Sequence, residues 1–480
     1  MNYILKNSRK FSLKEGNFVK EEIFIQNGKI VDKCFGEEID LKGAFVYPGI
    51  VDSHCHLMGT GYKKSIIELD EVKGKSAFSK LLNSFKGEMV LGRGWDENVL
   101  GFLPERELLD SIIDDRPIIL TRRCGHIAAL NTQAIEKFDL FDLDGLDETD
   151  VKKGIFKERG LTKINRELWK NKEAIEDYLK RGTDEFLQYG VTSVHSDDLN
   201  GINDSYTLNL LSDQKNIRVY EKYKVSSPSQ INEINKYKNL ENPFLKLRAA
   251  KLFMDGSLGG RTAALMEDYS DDPGNKGVLL LKNRELSKYI KAAEKNGIEL
   301  CIHVIGDKSL EEAIKAFESF DELKTEHRLI HVQIASEEQL KRIKKLNMRL
   351  SIQPAFYSSD LIISEKRLGK ERLFSKGYPF NKMRDLKINL SFSTDSPIES
   401  ASPFKNISSA NHFFSRVESI YYYTQAGKYF EEKNTSVELT LGNNADLFVS
   451  ETDLLNSTNE TLQNGKSSMT FVAGEVVYEE

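Results

Sequence analysis

The chain has 480 residues, 39% of them hydrophobic and 30% charged, and a net charge of −6. That balance fits a soluble globular protein with a large core, and without a long Lys/Arg run it offers nucleic acid no footprint. Cys34, Cys55, Cys124 and Cys301 show no CxxC spacing, which argues against a disulfide framework.

The first residues lack a continuous apolar signal core, and no 18-residue apolar stretch follows. A cytoplasmic protein with no membrane segment is therefore expected. Residues 23–31 read as two short strands around Asn27-Gly28, a strong hairpin signal. The apolar run at 46–52 reads as a strand and ends in His54-Cys55-His56. Alternation sends residues i and i+2 to one face, so both imidazoles project together while Cys55 points away. Two imidazoles on one rigid face are half of a zinc-type site; the plain alternative is packing.

From this run onward the pattern becomes strands alternating with helices. Candidate strands are 46–52, Ile118–Arg122, 191–195, 247–254, Glu299–Val304, 328–333, 349–353 and 389–394, with helices such as 287–296 and 308–320 between them. Such alternation predicts a parallel sheet, and eight strands suffice for a TIM-like (β/α)8 barrel of the α/β class. The segment 65–187 is too long for simple βα units and reads as a subdomain inserted after strand 1. Short strands return at 445–449 and 469–478. Isolated hairpins are marginal in water, so both ends are expected to combine into one small β-sandwich domain, 1–47 with 436–480, flanking a barrel at 48–435.

Barrel active sites lie at the C-terminal ends of the strands. Read in order, those ends supply His54 and His56, then Lys251, His303, His331 and Asp395. One histidine in such a place is more often structural than a ligand. Five metal-compatible residues at four strand ends, with a lysine at a fifth, are hard to explain by packing.

These residues and their order resemble the amidohydrolase superfamily of metal-dependent hydrolases, in particular the branch containing N-substituted formamide deformylase. The resemblance spans nearly the whole chain. It rests on the segment ending in His54-Cys55-His56, on Gly94-Trp95-Asp96, Gly125-His126 followed by Asn131, and Gly190 to His195. It continues through Lys251 to Ser257, Gly260 to Ala263, His303 to Asp307, His331-Val332-Gln333 and Thr394 to Pro397. It implies that His54, His56, His303, His331 and Asp395 are metal ligands. A divalent ion, zinc by expectation, lowers the pKa of its water from about 15.7 towards 7. Asp395 would then act as ligand and general base, passing the proton to the leaving nitrogen.

An ammonium is repelled by a dication, so an unmodified Lys251 is no ligand. As a carbamate formed with CO₂ it would bridge two ions, which such hydrolases hold roughly 3.5–4 Å apart. The other reading is one ion, with Lys251 salt-bridged to Asp255 or to substrate.

Among substrate-contact candidates, His126 reads either as a pocket residue or as a loop cap, and His195 ends another strand. Arg261 would clamp a carboxylate or carbonyl unless it pairs with Asp255 or Glu267. Trp95 is expected to pack the inserted subdomain, with the core as the plainer place. The chain lacks a His-Glu-x-x-His zincin motif. It departs from the family pattern at Cys124, where relatives commonly show aspartate, and at Ile330, where they often carry an acid. The expected activity is hydrolysis of a non-peptide C–N bond in a small-molecule amide or N-substituted formamide. Cyclic-amide hydrolysis and deamination are the enzymatic rivals, and a non-catalytic barrel scaffold is the rival from another class. A homodimer is the default for a soluble enzyme.

Overall fold

Eight strands pair in parallel, in simple chain order, in the computed structural model. They are β1 (Ile50–Cys55), β2 (Val191–Ser196), β3 (Arg218–Lys224), β4 (Leu245–Phe253), β5 (Glu299–Val304), β6 (Arg328–His331), β7 (Arg349–Ile352) and β8 (Asn389–Phe392). The structure describes residues 1–480 apart from Gly125 and Asn200, and apart from the side chains of Asp147 and Arg159. The Gly125 named in the sequence motifs therefore lies outside the described residues.

The last strand returns to the first. Ser53 Oγ donates to the Phe392 carbonyl (2.9 Å), the Asp395 N–H to the His54 carbonyl (2.9 Å), and the His56 N–H to the Ser396 carbonyl (2.8 Å). Helices such as Asn283–Asn296, Asp307–Glu318 and Glu337–Lys345 follow the strands, giving the (β/α)8 barrel.

The barrel's interior is unusually polar. Arg328 on β6 makes a bidentate pair with Glu299 on β5 (3.0 Å each) and donates to the Ser53 carbonyl on β1 (3.0 Å). Its Nη1 also lies 2.6 Å from His195 Nδ1 on β2. One side chain reaching three other strands must cross the barrel's middle. Tyr220 donates to the same Glu299 (2.9 Å), so the charges are paired and hydrogen-bonded, as burial requires.

One predicted barrel strand is corrected. Ile118–Arg122 is a strand, but it belongs to the sheet of the inserted region, and the barrel's missing member is β3. Parallel barrel strands are expected to read as apolar runs. In Arg218-Val-Tyr-Glu-Lys-Tyr-Lys224 four of the seven residues are charged, and Glu221 and Lys222 are nonetheless fully buried.

The chain divides into two compact units, residues 1–57, 183–201 and 207–480 in one, and residues 58–182 with 202–206 in the other. Within the first, strands from both ends of the chain meet. Phe45–Pro48 pairs with Arg9–Ser12 on one side and with Leu447–Ser450 on the other, Val46 facing Val449. A second sheet orders Lys29–Val31, Ile23–Gln26, Tyr3–Lys6 and Glu37–Asp40. Leu5, Ile25, Val46, Leu447 and Phe471 are buried in one core shared by the two sheets. The expected hairpin turns at Asn27 (φ 50°) and Gly28 (φ 76°), the doubly left-handed pair that a two-residue turn demands.

The second unit holds a five-stranded sheet in the order Ile155–Lys157, Ile127–Leu130, Ile118–Arg122, Val90–Trp95, Ile67–Glu68. Its core includes Leu69, Phe78, Leu82, Trp95 and Leu120. Among the described residues no helix is long and apolar enough to cross a membrane.

Candidate metal centre

β1 is buried along its whole length and delivers His54 on its inner face; His56 follows immediately after it. His54 Nε2 and His56 Nε2 stand 3.3 and 3.4 Å from Asp395 Oδ1, which lies just beyond β8. Donor atoms of these three residues all fall within 4.8 Å of one another. The remaining nominated imidazoles join them: His303 and His331 have ring centroids 4.5 Å apart, and His331 and His54 5.4 Å. His331 (φ 77°) and Asp395 (φ 57°) occupy the left-handed region. Side-chain-bearing residues are held there when the surroundings over-determine them, often at functional sites.

Each ring is oriented from outside. His331 Nδ1 lies 2.9 Å from Gln353 Oε1, and His303 Nε2 lies 3.1 Å from the Gly256 carbonyl. Those partners leave Nε2 of His331 and Nδ1 of His303 unprotonated, as ligation requires. His56 Nδ1 is 2.6 Å from Asp197 Oδ1, and His54 Nδ1 is 2.7 Å from Lys222 Nζ.

Burial depresses His331 to about 4 and His303 well below the usual imidazole range, with neighbouring cationic groups adding to the effect. Both are therefore neutral at pH 7. Burial also depresses His54, helped by Lys222 and Lys251. Burial would lower His56 as well, but Asp197 and Asp395 on either side carry it up to about 10. Asp395 is pushed upward by burial, yet His54 and His56 hold it well below the carboxylate range, so it is ionised.

The donor set fits a divalent ion. Ligand atoms 2.0–2.1 Å from a tetrahedral ion stand roughly 3.3 Å from one another, which matches the two imidazole–carboxylate separations above. Asp197 lies behind this donor set, with Oδ1 against His56 Nδ1 and Oδ2 against Lys251 Nζ.

The other nominated residues fall as follows. Lys251 is buried and pairs with Asp197 Oδ2 at 2.5 Å, not with Asp255. Asp255 accepts instead from the N–H groups of Ala264, Ile305 and Gly306 and from Ser309 Oγ (2.6 Å). His195 is fully buried, its nitrogens facing Arg328 (2.6 Å) and Glu431 (3.3 Å), which gives it structural partners. Arg261 pairs with Asp271 (3.0 and 3.1 Å), not with Asp255 or Glu267. In the second unit, Trp95 is 1% exposed and donates to the Leu120 carbonyl (2.7 Å), a core position. The His126 side chain there is 69% exposed, 3.4 Å from Glu158.

Sequence reasoning missed Asp197, Lys222 and Gln353. Asp197 carried a usable signal, because it directly follows β2, as His56 directly follows β1. Lys222 carried none, being hidden in the charged β3.

A (β/α)8 barrel with imidazoles and a carboxylate converging at its C-terminal strand ends defines a hydrolase of the metal-dependent class. The chain belongs to the amidohydrolase family, whose model matches residues 37–478. It is 28% identical to "Putative amidohydrolase YtcJ" of Bacillus subtilis over 92% of this chain and 90% of that one. It is likewise 28% identical to the Arabidopsis thaliana protein LONG AFTER FAR-RED 3, over 83% of this chain and 72% of that one. A crystal structure of an uncharacterised metal-dependent hydrolase from Pyrococcus furiosus superposes with a TM-score of 0.82 at 30% identity. That superposition covers 95% of this chain and all of the other.

Proposed function

We propose that the protein hydrolyses a non-peptide C–N bond in a small amide or N-substituted formamide, using divalent metal, zinc by preference. The observation that carries this reading is the convergence of His54, His56 and Asp395 within ligand spacing at the barrel mouth. In it, His54, His56, Asp395, His303 and His331 hold the metal. Such an ion, when bound, supplies Lewis acidity that acidifies water and polarises a carbonyl.

The chain's own residues do the rest. Asp395 is ionised and buried beside two imidazoles, so its carboxylate can accept a proton from the attacking water and return it to the leaving nitrogen. Gln353 and the Gly256 carbonyl fix two ring orientations and spare the site that reorganisation. Lys251, if converted to a carbamate, would add an anionic oxygen ligand and room for a second ion; as an ammonium on Asp197 it leaves one.

Two measurements test the proposal. Protein purified without added metal should contain one divalent ion per chain, or two if Lys251 is a carbamate, or regain them on addition. Less than about a tenth of an ion, with none regained, would overturn the reading. A panel of N-substituted formamides, acylated amines and cyclic amides should then yield turnover in the first two classes. Intact-mass analysis under CO₂ decides the state of Lys251.

A further inference from the structure

We propose that Asp197, immediately after β2, is a positioning residue of the metal centre. This rests on the metal-dependent reading above. The Asp197 side chain is nearly fully buried and stands between the residue that follows β1 and one on β4: Oδ1 lies 2.6 Å from His56 Nδ1, and Oδ2 lies 2.5 Å from Lys251 Nζ. A carboxylate behind a histidine fixes which ring nitrogen carries the proton and which faces forward. With Nδ1 turned to Asp197, His56 presents Nε2 to Asp395, 3.4 Å away.

The second oxygen ties β4 to the same point, since Lys251 lies on that strand. His56 follows the first barrel strand outside any regular element, so strand pairing alone does not hold its ring. Its backbone is fixed by the bond to the Ser396 carbonyl (2.8 Å), but its side-chain orientation depends on Asp197 and Asp395. Asp197 therefore acts through His56 and need not touch substrate.

The test is zinc affinity of the full chain, measured by competition with a chromogenic chelator, together with the melting temperature of the metal-free protein. Asp197→Ala should weaken zinc binding about 10–100-fold, the usual effect of losing such a partner. Asp197→Asn keeps an acceptor oxygen and the volume, and should lose less. It also serves as the folded comparison if the alanine variant is unstable. In a His56→Ala background the Asp197→Asn change should have little further effect on affinity, because the effect runs through that ring. A purely structural role would lower the melting temperature and leave zinc affinity unchanged, and that result overturns the inference. So would a full additive loss in the His56→Ala background. Failure of the wild-type chain to bind zinc would overturn the proposed function, and this inference with it. Wild-type binding with unaltered variants overturns this inference alone.

Discussion

Asp52 Oδ2 accepts a 2.5 Å hydrogen bond from Thr394 Oγ1, clasping the first barrel strand to the residue that precedes Asp395. The Thr394 N–H adds bonds of 3.1 and 3.2 Å, and the His54 N–H donates to Asp52 Oδ1 at 3.1 Å. A single carboxylate thus braces both arms of the candidate metal centre. Burial pushes its own pKa up to about 7 despite those donors.

Thr394→Val keeps the shape and removes one donor from a buried acceptor. It should destabilise the protein by about 1–3 kcal/mol, read as a lower urea midpoint with an unchanged slope. An unchanged midpoint would mean that the clasp contributes nothing.

Asp395→Asn removes a ligand and the proposed base while keeping the fold. Turnover should fall by about 10²–10⁴-fold, with zinc affinity also reduced. Retention of more than a tenth of wild-type kcat would rule out Asp395 as the base.

Glu294 supplies a pH test far from the metal centre. Burial raises its pKa, but His327 (2.9 Å) and the N–H groups of Lys324 and Thr325 outweigh that and bring it down to about 2. A lowered carboxyl contributes stability above its ordinary value of about 4.5, and that contribution is lost as pH falls towards 2. Glu294→Gln should therefore lower stability at pH 7 by on the order of 1–2 kcal/mol. The difference from wild type should shrink steadily between about pH 4.5 and 2. Parallel melting curves across that range would contradict it.

Cysteine reactivity follows burial. Cys124 is exposed, whereas Cys34, Cys55 and Cys301 are buried. Burial also pushes the Cys301 thiol up to about 12. One thiol should titrate rapidly with a disulfide reagent in the native protein and all four in denaturant; Cys124→Ser should abolish the fast phase.

The barrel and its site were legible for the same reason. Polar groups at the ends of otherwise apolar runs stand out, and His54, His303, His331 and Asp395 all sit that way. Ile118–Arg122 misled because an apolar parallel strand looks the same in any sheet; only its pairing with Val90–Trp95 and Ile127–Leu130 assigns it. β3 was hidden because its charged groups find hydrogen-bond partners distant in sequence. The contacts of Lys222 with His54 and His195 become visible only when β1, β2 and β3 lie side by side. Lys251 was placed correctly at a strand end, but its choice of Asp197 over Asp255 depends on the loop after β2. There Asp197 is presented while Asp255 is consumed by four donors.

The pairing of Val46 with Val449 bears on how the protein is made. Phe45–Pro48 leaves the ribosome long before Leu447–Ser450 exists, so during synthesis it presents an open strand edge on that side. Such edges recruit other strands, and long-range pairing is slow to form. That edge can be covered only after Leu447–Ser450 has emerged. A nascent chain should therefore stay sensitive to protease at both ends, and dependent on chaperone shielding, until its last strands are available.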